Sequence, residues 1–309
     1  MILRILLLTL LPLLSYAQIN SKEAIPKNTQ SNDKGPVELK RNALYNLEEI
    51  KVRWKKAALE NCPGVPCVVA PSFSCGTSVI TDINNNSYNT VSVGTQCWMK
   101  ENLRVRKYND GTEIRFDASG GVVGTTSQTW SGMGLVHGAY TLFAHDSMAT
   151  PSNLTSYGYL YNWYAANGIS SSGNKNICPS GWHVPSNSDW NKLVKFIDPS
   201  ADTTTASVPH VQSSTAGGKL KSTSNLWNTS SPSSPGTDNY GFSALPGASR
   251  FVGGSFGNVG YDAFFWSTTE IDVNYARNRH LNKFNNAYEM CGPPLNHKSN
   301  GASVRCLKD

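Results

Sequence analysis

The chain has 309 residues, with 27 Lys and Arg against 21 Asp and Glu and a formal net charge of +6. The excess is dispersed, nine basic against six acidic residues over 18–71 and seventeen against fifteen over 72–309. No basic stripe exists to track a phosphate backbone, which excludes nucleic acid as a partner. Abundant Ser, Thr, Asn and Gly, with Trp and Tyr scattered throughout, favour short strands and loops over a helical bundle.

The first seventeen residues have the layout of a secretory signal peptide. Arg4 supplies the positive charge, Ile5–Leu14 is an apolar run broken only by Thr9 and Pro12, and Ser15-Tyr16-Ala17 offers a small-residue cleavage site. The run is shorter than the roughly 20 residues a bilayer span needs. No cysteine lies near the cleavage point, which disfavours a lipid anchor, and no later segment is apolar enough to cross a membrane. The expectation is an exported chain, secreted or held in the cell envelope, with no membrane span after signal cleavage. Seven cysteines in such a chain read first as disulfides with one thiol over.

Residues 18–36 read as a flexible polar linker. In 37–61, Ala43, Leu47, Ile50, Trp54 and Ala57 recur at 4-3-4-3 spacing and predict an amphipathic helix. That stripe either packs on the following domain or forms a short coiled-coil seam. Pro63 and Pro66 end it. Cys62 and Cys67 flank that Pro-containing turn and are close enough in sequence to pair locally.

From residue 72 to 309 the pattern is that of one large domain. Cys75–Ile83 and Tyr88–Cys97 are β-prone runs flanking Asn84-Asn85-Asn86-Ser87, a hairpin signal. Centring the turn on Asn86 sets Val79 opposite Val93, Thr81 opposite Val91 and Cys75 opposite Cys97, so register predicts a Cys75–Cys97 disulfide. Asp82, Asn84 and Asn86 alternate like calcium ligands, but the glycine and terminal glutamate of an EF-hand loop do not follow, and turn chemistry accounts for them.

Trp98–Leu103 reads as a short turn or helix, 117–135 as a surface loop, and the aromatic-dense Tyr157–Ala166 as buried. Ser186 is placed to cap a helix through Trp190, Leu193, Val194 and Ile197. Residues 199–238 read as a long loop region. Short strands alternate with glycine turns through Gly241–Arg250 and Tyr261–Thr269, and Ser303–Cys306 reads as the final strand.

These landmarks together resemble the Fibrobacter succinogenes major paralogous domain. The matching stretches include Gly94–Arg104, Tyr108–Thr112, Tyr157–Trp163 and Cys178–Ser186, followed by Gly218–Lys221, Tyr240–Gly247, Phe265–Glu270 and Gly301–Cys306. They run in the family's order over nearly all of 75–308. The family has no settled biochemical activity. The resemblance implies an α+β fold, a C-type-lectin-like or formylglycine-generating-enzyme-like mixed sheet with few helices and long loops, here preceded by the N-terminal helix. It also implies a cysteine near the helix bonded to the closing strand, Cys178–Cys306; a Cys291–Cys306 bond is the alternative.

Catalytic constellations are missing from the sequence. His137 and His145, with Asp146, are eight apart rather than the three or four of a helical metal pair, and His183 sits in a structural Trp-His-Val-Pro block. No nucleophile elbow, phosphate loop or zinc-finger spacing occurs. The copper-dependent oxidase chemistry of the formylglycine-generating fold needs two close thiolates, and the one close pair, Cys62 and Cys67, lies outside the matching region. No cofactor or metal is expected, and the reading is a non-catalytic module.

A binding role suits exposed aromatic and amide side chains, with extracellular polysaccharide or a surface protein as partner. The C-type-lectin-like resemblance points to the loop between the central helix and the last strands, with Trp227, Asn228, Asp238, Asn239 and Arg250 as ligand candidates. Core packing is the competing role for Trp227. The Glu-Pro-Asn and Gln-Pro-Asp calcium triplets of sugar-binding lectins are absent. The alternative function is a structural or adhesion component that assembles through the helix at 38–60.

Overall fold

The computed structural model describes residues 72–116, 137–143, 153–170, 173–257 and 259–309, which apart from Ser72 belong to the unit Phe73–Asp309. The predicted signal peptide, the linker, the helix at 37–61, the Cys62/Cys67 pair, His145 and Asp146 lie outside the described residues, as does the whole loop at 117–135.

The unit is mostly β-sheet, with four helices among the described residues. A five-stranded sheet has the order β1 (Val79–Thr81), β2 (Ser87–Val93), β3 (Gln96–Met99), β14 (Leu307–Lys308) and β9 (Trp182–His183). A four-stranded sheet follows the order β10 (His210–Ser213), β13 (Tyr288–Met290), β12 (Ala276–Asn282) and β11 (Asp262–Glu270). A small sheet of β4 (Arg115–Phe116), β5 (Ala139–Thr141) and β6 (Leu160–Tyr161) contains the one parallel pairing among the named strands, and β7 (Ile169–Ser170) pairs with β8 (Gly173–Asn174).

Strand β11 separates two cores. Side chains alternate along a strand, and here Phe264 and Trp266 enter one cluster with Tyr161, Trp163 and Trp182. Ala263 and Phe265 enter the other, with Trp98, Trp190 and Phe242. Several core indoles find carbonyl acceptors: Trp266 Nε1 donates to Tyr161 O at 2.7 Å, and Trp163 Nε1 to Ser267 O at 2.9 Å. Being buried on both faces, β11 reads as a nearly continuous apolar run rather than an alternating one.

The central helix is built as its sequence predicts. Among α1 (Asn153–Tyr157), α2 (Trp163–Asn167), α3 (Asn187–Ile197) and α4 (Ala216–Leu220), the long α3 opens on a capping box. The Ser186 hydroxyl accepts from Asp189 N–H, while the Asp189 carboxylate accepts from Ser186 N–H, so two otherwise orphaned donors are satisfied. Trp190, Leu193, Val194 and Ile197 form its buried stripe.

Both predicted disulfides are present, Cys75–Cys97 with Cα atoms 5.8 Å apart and Cys178–Cys306 with Cα atoms 5.9 Å apart. Cys291 is a free, buried thiol. The hairpin register that suggested the first bond is corrected: Val79 pairs with Asn89 and Thr81 with Ser87. The cause is Asp82, whose buried carboxylate accepts from Asn84 N–H at 2.8 Å, Asn86 N–H at 3.0 Å and the Tyr88 hydroxyl at 2.7 Å. These bonds close the turn tightly after Thr81, and Cys97 reaches Cys75 from the next strand, opposite Ser92.

Three further expectations are revised. Trp98 is on strand β3, where it completes a ladder, not on a turn or helix. The stretch 199–238 includes β10 and α4. Ser303 only bridges to Phe265, and the closing strand is Leu307–Lys308, which pairs with both β3 and β9.

Candidate functional site

Two depressions use residues from the predicted binding region, and they differ in construction. The first is a groove of about 410 Å³ between the β2–β3 turn, helix α3 and the loop at Tyr240. Its prominent feature is Phe196, 53% exposed. Phe196 lies off the buried stripe of α3, one helical turn beyond exposed Lys192 on the same face.

The ring is held from below and from the side. Gly94 sits beneath it with φ of +62°, where a Cβ would lie 2.9 Å from ring carbons. A side chain there would be strained by backbone and neighbour alike. Tyr240 packs edge-on at 5.8 Å between centroids. Tyr240 is presented by a turn in which Asp238 (φ 45°) and Ser243 (φ 53°) are left-handed. The Asp238 carboxylate holds that turn, accepting from Ser243 N–H at 2.7 Å and Ser243 Oγ at 2.6 Å. Gln96 completes the wall, its Nε2 fixed on Asp189 O at 3.0 Å.

The second depression is a cleft of about 250 Å³ lined by hydroxyl and amide side chains of 222–234, with Trp227 and Lys283 in its walls. Lys283 is 3% exposed and donates to Asn228 Oδ1 at 3.1 Å, Ser230 O at 2.9 Å and Ser230 Oγ at 2.9 Å. It also lies over the Tyr261 ring at 4.5 Å. Lys221, 1% exposed, donates to the carbonyls of Ser234, Asn282 and Asn285 and lies over the Trp227 ring at 5.4 Å. Burial pulls its pKa down to about 8.

The five sequence candidates therefore separate. Asn228 faces the cleft and is oriented by Lys283. Trp227 is a core residue, 5% exposed, its Nε1 donating to Ala244 O at 3.0 Å; only part of it reaches the cleft wall. Asp238 is internal to the turn that carries Tyr240, and exposed Asn239 adjoins it. Arg250 is corrected as a ligand contact, since it is fully buried with its guanidinium 6.0 Å from the Phe256 ring centroid. A long charged side chain in a glycine-turn region reads as exposed, but Arg250 pairs backbone to backbone with Gly301 beneath the surface.

Phe196, Tyr240, Lys221 and Lys283 were missed. An aromatic off the apolar stripe of an amphipathic helix was the available signal for Phe196. Buried lysines leave none, because hydropathy places lysine at the surface.

Elsewhere, His280 is clamped by two carboxylates, Asp262 Oδ1 at 2.8 Å from Nε2 and Glu289 Oε2 at 3.2 Å from Nδ1, and stacks on Phe264 at 4.5 Å. Burial opposes its charge, but the two carboxylate hydrogen bonds prevail and raise its pKa to about 9. Both ring nitrogens are engaged, so this is an ion-pair network. His183 bridges Asp309 at 2.6 Å and Asp189 at 3.6 Å, joining the helix start to the chain end. Among the described residues, no group of three His, Cys, Asp or Glu is arranged to hold a metal ion.

Antiparallel sheets with two disulfides at the five-stranded one, and a groove walled by exposed Phe196 and half-buried Tyr240, define a disulfide-bonded, predominantly β domain. The family model of the Fibrobacter succinogenes major domain matches residues 91–308, and the chain belongs to that family. Comparison with curated proteins finds no match, and comparison with solved structures finds none.

Proposed function

We propose that the chain is an exported, non-catalytic binding module of the cell envelope or extracellular space, taking a polysaccharide across the Phe196–Tyr240 groove. The observation that carries this reading is Phe196, an aromatic ring left half in water yet fixed by Gly94 and Tyr240. A pre-positioned ring offers its face to the C–H side of a sugar at little entropic cost, while neighbouring amide, hydroxyl and ammonium groups bond the hydroxyls. Thr95, Gln96 and Lys192 supply such groups here.

The relation to C-type-lectin-like folds belongs to the same proposal. Its support is the closing strand, which lies between β3 and β9 and is tied by Cys306 to Cys178 ahead of the central helix. The two disulfides suit an oxidising compartment.

A polysaccharide array probed with the purified, oxidised chain, in calcium and in chelator, tests the proposal. Saturable binding lost in Phe196→Ala supports it. Failure to bind any polysaccharide, or binding indifferent to that substitution, refutes the groove as the site.

A further inference from the structure

We infer that the cleft lined by Asn228, Thr229 and Lys283 is an oxyanion site, receiving the carboxylate or sulfate of an acidic saccharide. Two ammonium groups, Lys221 and Lys283, are at least 97% buried beside it or behind its wall. Neither has a carboxylate within ion-pair distance among the described residues, and all their hydrogen bonds go to neutral oxygens. No acidic side chain lines the cleft.

Buried charges are ordinarily paired, because an ion removed from water with only dipoles around it keeps its full field. Two uncompensated positive charges around one small cleft make its interior a place of positive potential, sharpened by the low-dielectric Trp227 in its wall and by the Tyr261 and Phe284 rings packed against Lys283. The ammonium hydrogens are already used, so they supply charge and not direct contacts. Contacts to the anion would come from cleft hydroxyls such as those of Ser222, Ser224, Thr229 and Ser233. These are neutral donors; the Ser222 and Ser224 hydroxyls bond each other at 2.8 Å and Ser233 Oγ donates to Thr229 O at 3.2 Å, and hydroxyl rotation would redirect these bonds to the anion. Lys283 also orients Asn228 through Oδ1, fixing which end of the amide bonds the ammonium.

The choice of a saccharide rests on the glycan reading of the groove; the oxyanion claim does not, and the experiment separates them. The full oxidised chain is titrated by NMR or calorimetry with sodium sulfate, with a galacturonate oligosaccharide and with its neutral galactose counterpart. The expected result is saturable binding of the acidic oligosaccharide at least tenfold tighter than the neutral one. That preference is lost in Lys283→Met and unchanged in Val273→Ser, an exposed position that lines neither depression. Saturable binding of sulfate that Lys283→Met abolishes supports the oxyanion site irrespective of the sugar. Because Lys283→Met can fail to fold, Thr229→Glu provides a second arm, placing a carboxylate in the exposed cleft wall to occupy the positive potential. Equal affinity for acidic and neutral oligosaccharides together with no sulfate binding overturns the inference. So does acid preference that survives Thr229→Glu in a protein with an unchanged melting temperature.

Discussion

At Phe196 the domain leaves an aromatic ring half in water, whereas at Lys283 it draws an ammonium out of water and surrounds it with neutral oxygens. Each arrangement opposes the ordinary preference of its residue type, and the two have different energetic consequences. The groove stabilises little, since its ring is exposed and its removal leaves few contacts unmade. The cleft is bound into the core, because each lysine satisfies three acceptors and Trp227 lies between its surface and Ala244. Exposed apolar surface that contributes little to stability is a feature of binding sites. A satisfied buried charge contributes to architecture and, through its field, to what its cleft attracts.

The largest separation between the two regions is expected at Trp227. Trp227→Ala should cost about 3–5 kcal/mol, the range for truncating a buried tryptophan, measured by chemical denaturation. A loss of binding in that variant would reflect unfolding, so Trp227 is unsuited to locating a ligand. A cost below about 1 kcal/mol would show that Trp227 belongs to the ligand surface instead.

Removing the Cys178–Cys306 bond by paired Cys→Ser substitution should cost about 2–5 kcal/mol, because it frees a loop spanning 128 residues. Melting by circular dichroism checks this, and groove and cleft binding should both persist at temperatures where the variant is folded.

The His280 clamp predicts a pH window. Its folded pKa of about 9 exceeds the unfolded value of 6.5. Its stabilisation is therefore fully present below pH 6.5 and lost as pH rises through 9, a change of about 3 kcal/mol. Denaturation series at pH 6 and pH 9.5 should differ by about that amount more in the parent chain than in His280→Gln.

Gly94→Ala should cost about 1–2 kcal/mol through left-handed backbone strain and contact with Phe196. It should also weaken polysaccharide binding by displacing the ring. Unchanged binding would detach the groove's function from the placement of Phe196.

Much of the scaffold was legible in the sequence. The capping box at Ser186 and the Trp190–Ile197 stripe are local patterns, and a short helix obeys them wherever it packs. Cys75–Cys97 was read correctly from an incorrect register, because the pairing depends on a third strand and on how Asp82 gathers the turn, neither visible in alternation alone. The candidate site was half legible. Asp238 and Asn239 mark the turn, but Tyr240, the next residue, carries the half-buried ring that packs on Phe196. The roles of Lys221, Lys283 and Arg250 are set by carbonyls and rings distant in the chain, so composition places them at the surface when the fold buries them.

The most direct test of the account is calorimetric titration of the best polysaccharide from the array into the parent chain and Phe196→Ala. Phe196→Ala should change unfolding free energy by less than about 1 kcal/mol, as a largely exposed position. The account predicts at least a tenfold loss of affinity with the melting temperature nearly unchanged. Undiminished affinity in the folded variant would contradict it.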